Sequence, residues 1–185
     1  MDGKPYTFIQ VSGHEHQQAG GSYANVDEAK TIVSLVGMLR ASFRDQHDSS
    51  SNHEKAWHDP DRIRIISFYQ GQVTLLRRML NRAGLGQVLV ATVDSSQGCE
   101  ADLVIVSFVR STGAESYGNA RRVVGFLTDD RRMNVALTRA RYQLICVGNA
   151  RGTLVQSGVT TLNKLVNDAE SRNFIFERKL LALNF

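Results

Sequence analysis

With 185 residues, 42% of them hydrophobic and 22% charged, the chain reads as one globular domain, which at this size buries roughly 70% of the surface its unfolded form exposes. No apolar run approaches the roughly 18 residues of a membrane span, Met1 to Gln10 holds no signal-like apolar stretch, and Cys99 and Cys146 are too few for a disulfide framework or a four-ligand metal site. The formal charge is only +4, yet the 22 basic residues divide into 17 Arg and 5 Lys; a base-composition bias of the gene accounts for such a surplus, and so does an anionic partner, because Arg offers a planar donor fork matched to phosphates.

Tyr6 to Val11 is a short extended apolar run, and the Gly, His and Gln-rich stretch from Ser12 to Tyr23 reads as a loop. Asn25 followed three residues later by Glu28 is a capping-box signal. Ala29, Ile32, Val33, Val36 and Leu39 then recur at helical spacing, which predicts a helix from about Val26 to Phe43. Arg44 to Asp61 is rich in Ser, His and Asp and reads as a polar surface loop, not as a boundary between domains. Ile63 to Phe68 is a β-branched strand, Gln70 to Ala83 a helix stopped by Gly84, and Val88 to Val93 and Leu103 to Val109 are further strands. Asp129 to Ala140 reads as a helix with two acids in its first turn, Leu144 to Val147 as a strand, Thr160 to Arg172 as a helix and Phe174 to Phe176 as a last short strand. Apolar strands separated by helices predict an α/β fold, a parallel sheet with helices on both sides. Ligands of such sheets sit at the carboxyl ends of the strands.

Three segments place polar or charged residues directly after a strand. Ser67-Phe68-Tyr69-Gln70-Gly71-Gln72 opens a helix, where it serves either as a simple cap or as a receiver for a phosphate or base. Val93-Asp94-Ser95-Ser96-Gln97-Gly98-Cys99-Glu100 lies between two apolar strands, and its Gly98 permits close backbone approach by a ligand; a tight solvated crossover is the other reading. Asp129 to Arg141 carries Asp and Arg at ion-pair spacing. The window from Arg110 to Arg151 holds eight Arg and no Lys, a density that implies an anionic partner, most plainly phosphates.

Val93 to Asp102 resembles motif V, and Arg131-Arg132-Met133-Asn134-Val135-Ala136-Leu137-Thr138-Arg139-Ala140-Arg141 resembles motif VI, of superfamily 1 helicases of the up-frameshift type. Ile66 to Gln72 looks like motif IV, and Ser22, Asn25, Glu28 and Ala29 look like the Ser-x-x-Asn-x-x-Glu-Ala signature that opens the same domain. The resemblance spans about residues 5–176 and implies that residues 1–185 are a second RecA-like domain, a parallel sheet of P-loop NTPase type flanked by helices and lacking its own P-loop. It implies the C-terminal half of the motor core of an ATP-dependent RNA or DNA helicase. Arg139 would then be the catalytic arginine finger on ATP, with Tyr69, Gln72, Gly98 and Glu100 as further nucleotide contacts and Glu100 accepting from the ribose. Asp94, Ser95, Gln97, Arg110, Asn134 and Thr138 would face single-stranded RNA or DNA. Several relatives carry an Arg after the motif IV Gln, where this chain has Val73; Arg77 and Arg78 stand one turn on.

The sequence contains no Gly-x-x-x-x-Gly-Lys-[Ser/Thr], the loop that cradles phosphates and presents a hydroxyl to Mg²⁺. Asp27-Glu28-Ala29-Lys30 mimics an acidic helicase box but opens a helix instead of ending an apolar strand. The expectation is therefore ATP with Mg²⁺ held mainly by a first RecA-like domain of the same natural chain, and no ATP hydrolysis by these residues alone. A non-catalytic nucleic-acid or protein-binding module that retains the fold is the alternative. His14, His16, His47, His53 and His58 fall in expected loops without metal-ligand spacing, and an intracellular location, cytoplasmic or nuclear, without membrane contact completes the reading.

Overall fold

Short runs of β-branched residues meet side by side. The computed structural model describes residues 4–46, 56–111, 125–155 and 159–178. In chain order it has strand β1 (Tyr6–Gln10), a small hairpin of β2 (Glu15–Gln17) and β3 (Tyr23–Asn25), helix α1 (Val26–Gln46), β4 (Ile63–Ser67), α2 (Gln70–Arg82), β5 (Leu89–Thr92) and β6 (Ala101–Ser107). After these come α3 (Asp130–Leu137), β7 (Ala140–Gly148), α4 (Thr160–Ser171) and β8 (Ile175–Glu177). Six strands form one sheet in the order β5-β4-β6-β7-β1-β8, and every pairing in it is parallel. This is the expected α/β, RecA-like sheet.

Successive strand residues point to opposite faces, and the core divides accordingly. Ile65, Ile105, Ile145 and Val147 pack with Ile32 and Val36 of α1 and Leu76 and Leu80 of α2. Their neighbours Ile66, Val104, Val106 and Cys146 pack on the other side with Met133 and Ala136 of α3 and Leu162, Val166 and Ala169 of α4. Both faces are covered by helices, which is why the strands read as largely apolar runs without regular polar alternation. Burial also pushes the Cys146 thiol far up, so it acts as a small hydrophobe. Among the described residues no helix is long and apolar enough to cross a membrane.

The structure departs from the sequence expectation in three places. The stretch from Ser12 to Tyr23 is not a plain loop: β2 and β3 pair antiparallel, and the reversal uses Gly20 and Gly21 at φ of 138° and 81°, values open to glycine. Helix α1 runs on to Gln46, so the polar loop expected from Arg44 begins later; residues 47–55 lie outside the described residues. Helix α3 ends at Leu137, short of the expected Ala140, because the Ala101 amide donates to the Arg139 carbonyl and draws the chain into the ladder. Strand β7 therefore starts four residues earlier than the apolar run that announced it.

Phe108 is fully buried between Phe8 and Phe68, whose ring centroids lie 5.7 and 5.9 Å away. Phe108→Ala is expected to cost about 3–5 kcal/mol, read as a lower urea midpoint at unchanged slope.

Candidate functional site

Because all six strands are parallel, their carboxyl ends share one edge of the sheet and their amino ends the other. Ser67 is aligned with Thr92 and Ser107 at the carboxyl edge, whereas Ala101 pairs with Ala140 at the amino edge. The length of β6 separates the two by about 20 Å. The residues singled out in the sequence distribute over both edges and over the face between them.

At the carboxyl edge the Gln72 side chain is fully buried. Its Oε1 accepts from the Asn25 amide at 2.8 Å, and its Nε2 donates to the Asn25 carbonyl at 3.2 Å and to Ser107 Oγ at 3.0 Å. Ser107 Oγ in turn donates to Glu28 at 2.6 Å. The Val109 amide donates to both Glu28 oxygens at 3.0 Å, and the Val109 carbonyl accepts from Asn25 Nδ2 at 3.2 Å. These bonds hold Val109 at φ of 72°, a left-handed conformation that a β-branched residue adopts only when its surroundings impose it. Asn25 caps α1 as expected, its Oδ1 accepting from the amides of Asp27 and Glu28, but Glu28 does not close the capping box. Its carboxyl is spent on β6 and the segment after it, since a tertiary partner outcompetes the local one.

Tyr69 and Arg110 belong to the same edge and are also buried. Arg110 pairs with Glu15 at 3.0 Å and lies over the Tyr23 ring, 4.1 Å from its centroid. Burial pushes the Tyr69 hydroxyl up to about 12, against the pull of Arg110. Gln72, Tyr69 and Arg110, expected at a ligand, are thus engaged within the fold. Val73 is buried as well, and Arg77 is committed to the Val90 carbonyl through Nε and Nη2, at 3.2 and 2.7 Å.

The face between the edges is built by α3 and the Asp94–Glu100 segment running side by side. Asp129 caps α3 by accepting from the amides of Arg131 and Arg132, and Arg132 Nε meets Asp94 at 3.0 Å. Asp94, Ser95, Gln97, Asn134 and Thr138 are exposed along this face. Ser95 Oγ bonds Thr92 Oγ1 at 2.9 Å, and Thr138 Oγ1 donates to the Asn134 carbonyl at 2.7 Å. Phe126, unmarked in the sequence, stands 55% exposed beside it, under the Arg132 guanidinium.

At the amino edge the Ala101 amide donates to the Arg139 carbonyl at 3.0 Å, which ties Arg139 to the end of the segment that carries Gly98 and Glu100. Gly98 has φ of 77° with open space where a side chain would stand, and Glu100 is exposed. Arg139 is steadied by its own neighbours, Nε donating to the Val135 carbonyl and Nη2 to Thr138 Oγ1, each at 3.1 Å. Among the described residues no carboxylate pairs with it. Arg131 likewise pairs with no carboxylate among the described residues, whereas Arg141 pairs with Asp102 and Arg151 with Glu170 and Glu177. Arg121 and Arg122 lie outside the described residues. A guanidinium steadied by its own helix and paired with no carboxylate among the described residues suits an anionic ligand such as a phosphate. Tyr69 and Gln72 stand at the other edge and do not join this group. Among the described residues no three His, Cys, Asp or Glu side chains gather as a metal site.

A family model described as an AAA domain matches residues 1–151. Putative regulator of nonsense transcripts 1 from Takifugu rubripes is 34% identical over 183 residues, 96% of this chain and 14% of the relative. The chain belongs to this family, the superfamily 1 helicases of the up-frameshift type. Probable helicase senataxin from Homo sapiens is 30% identical over 176 residues, 94% of this chain and 6% of the relative. The chain therefore spans a small part of the length of the relatives it matches. The crystal structure of the C-terminal domain of a possible DNA helicase from Lactobacillus plantarum WCFS1 has the same fold, with a TM-score of 0.51 over 86% of this chain and 84% of that one at 15% identity. Within the family frame, motif V is the segment that descends from the carboxyl to the amino edge, and motif VI is α3 with the turn into β7.

Glu28 supplies a pH test of the carboxyl edge. Burial pushes its carboxyl from 4.5 up to about 8, against the hydrogen bonds from Ser107 and Val109. The folded chain then holds a proton that the unfolded chain releases, so this contribution to stability is full below pH 4.5 and is lost as pH rises through 8. Its limiting slope is about 1.4 kcal/mol per pH unit. Urea unfolding between pH 5 and 8.5 is expected to show this loss in the parent chain and not in Glu28→Gln.

Proposed function

We propose that the chain is the second RecA-like domain, and so the C-terminal half of the motor core, of an ATP-dependent helicase that moves on single-stranded RNA or DNA. The observation that carries this reading is Arg139, held in place and free of any acid among the described residues, its carbonyl bonded to the end of the Gly98–Glu100 segment in a family of helicases. As an arginine finger it meets the negative charge that spreads over the transferring phosphoryl oxygens, where a permanently charged fork is worth about 10³–10⁵ in rate. Glu100 accepts from the ribose hydroxyl and Gly98 lets the nucleotide approach the backbone. Asp94, Ser95, Gln97, Asn134 and Thr138 meet the strand, which a translocating motor grips through backbone and stacking without base readout.

The residues present fit a nucleotide's phosphates and ribose, but the sequence holds no P-loop pattern and the described residues no carboxylate set for Mg²⁺. The ion and most of the triphosphate contacts belong to a first RecA-like domain of the same natural protein, and the ATP lies between the two. Motion follows from closure of the two domains on ATP and their parting after hydrolysis.

In the full-length protein, Arg139→Ala is expected to lower strand-stimulated ATPase by about 10³-fold or more and to change single-strand affinity far less. The isolated 185-residue chain is expected to show no turnover. ATPase reduced no more than a few-fold by Arg139→Ala would overturn the finger assignment. Salt-dependent strand binding that the preceding domain and ATP leave unchanged would mark a binding module instead.

A further inference from the structure

Helix α3 stops at Leu137, so between its end and α4 the amino edge of the sheet is left partly bare. The gap is an open depression of about 340 Å³, lined by Tyr6 and Leu144 from adjacent strands and by Leu137 and Leu165 from the two helices. All four belong to the apolar cluster on this face or pack against it, so the depression exposes part of the core. The register of β6 and β7 shifts at the same place: Ala101 is level with Ala140 but Leu103 with Gln143, which gives β7 one extra residue. Such a bulge re-aims a side chain. Tyr142, inside it, lines the depression and stands 76% exposed, more than any other large apolar residue described. An exposed aromatic ring at the lip of a concave apolar patch is the usual anchor of a protein interface.

Chemistry narrows the occupant. Apart from Tyr142, the polar side chains of the lining are already engaged. The Tyr6 hydroxyl donates to Asp168, which also accepts from Arg172 Nε at 2.9 Å. Arg141 donates through Nε to Asp102 and through Nη2 to the Asp61 carbonyl, at 2.9 and 2.6 Å. A nucleobase or sugar is read through free donors and acceptors, whereas an apolar side chain needs none. Charge sets the flanks. The pairs of Arg141 with Asp102 and Arg172 with Asp168 are each neutral. Lys4 and Arg139 adjoin the lining residues Pro5 and Ala140 and meet no carboxylate among the described residues. The Lys4 ammonium is held over the rings of Phe174 and Phe176, 4.9 and 4.6 Å from their centroids. These two cations leave the rim positive, which favours an acidic partner and repels a basic one.

We propose that this depression docks an acidic protein segment that presents one bulky apolar side chain. The apolar group enters between Tyr6, Leu144 and Leu165, and the Tyr142 ring covers it from the lip. Asp or Glu residues on either side of it meet the positive rim. The apolar contact supplies most of the affinity, because exposed ion pairs are worth little, and the charges supply the choice of partner and its salt dependence. This docking site is independent of the motor reading above.

The test is fluorescence polarisation of short labelled peptides against the 185-residue chain and against the full-length protein. Each peptide carries Leu, Met or Phe at its centre, flanked on both sides by Asp and Glu, by Lys and Arg, or by Ser. The acidic peptides are expected to bind both proteins, about tenfold or more tighter than the basic ones, with an affinity that falls as salt rises. Tyr142→Ala is expected to keep the parent's thermal midpoint, because the ring is exposed, and to weaken binding by about tenfold or more. Lys4→Glu is expected to weaken it several-fold and to flatten the salt dependence. Equal binding of acidic and basic peptides, binding unchanged in Tyr142→Ala, or no binding of any peptide overturns the site. Binding to the 185-residue chain that the full-length protein lacks overturns it too, since another part of that protein then covers the depression. A single-stranded oligonucleotide that binds the parent and not Tyr142→Ala assigns the face to nucleic acid. Self-association of the parent that Tyr142→Ala abolishes assigns it to a second copy. Either result overturns the acidic partner and leaves the assignment of Arg139 intact.

Discussion

The carboxamide of Gln72 is the tie on which the carboxyl edge depends. A buried amide has to satisfy its oxygen and nitrogen together or lose much of what burial gained. Gln72 does so by reading both backbone groups of Asn25 and the hydroxyl of Ser107. One side chain thereby fixes the hairpin, the first turn of α1, the start of α2 and the end of β6 relative to one another. Glu28 extends the same network to Val109 and holds it in a conformation it would not adopt alone. The cost of burying a carboxyl is met by keeping its proton, and so the rigidity of this edge is linked to pH.

That rigid edge is one end of a device whose other end carries the acid-free arginine. The Asp94–Glu100 segment and α3 both run from the carboxyl to the amino edge, so a shift of either moves both ends. Parallel strands create this arrangement, since a chain that leaves one strand at the top has to re-enter the next at the bottom. Here the return takes eight residues, from Val93 to Glu100, far fewer than a helical crossover normally uses.

The Arg surplus shows how far composition carries. Density in the Arg110 to Arg151 window pointed to an anionic partner, and proximity then sorted its members. Arg110, Arg132, Arg141 and Arg151 have carboxylates of their own, while Arg131 and Arg139 pair with none among the described residues. No count distinguishes these cases, because ion pairing is decided by residues far apart in the chain, such as Glu15 with Arg110 or Asp102 with Arg141. Arg64, outside the dense window, is as buried as Arg110.

The sequence by itself determined the α/β class, the alternation of strands and helices, the motifs at their ends and the membership those motifs imply. These follow from periodicity and local capping, which short-range sterics and burial dictate. Tertiary structure alone decided which end of the sheet each motif residue occupies. Gln72, Tyr69 and Arg110 are recessed at the carboxyl edge, and Arg139, with its carbonyl bonded to Ala101, lies at the amino edge about 20 Å away. It also decided where α3 stops, since the pull of the β6 ladder on Arg139 is invisible to helix propensity. The physical reason is common to all of these: hydrogen bonds and ion pairs between distant segments outweigh local preference, and the register of a parallel sheet sets which distant segments meet.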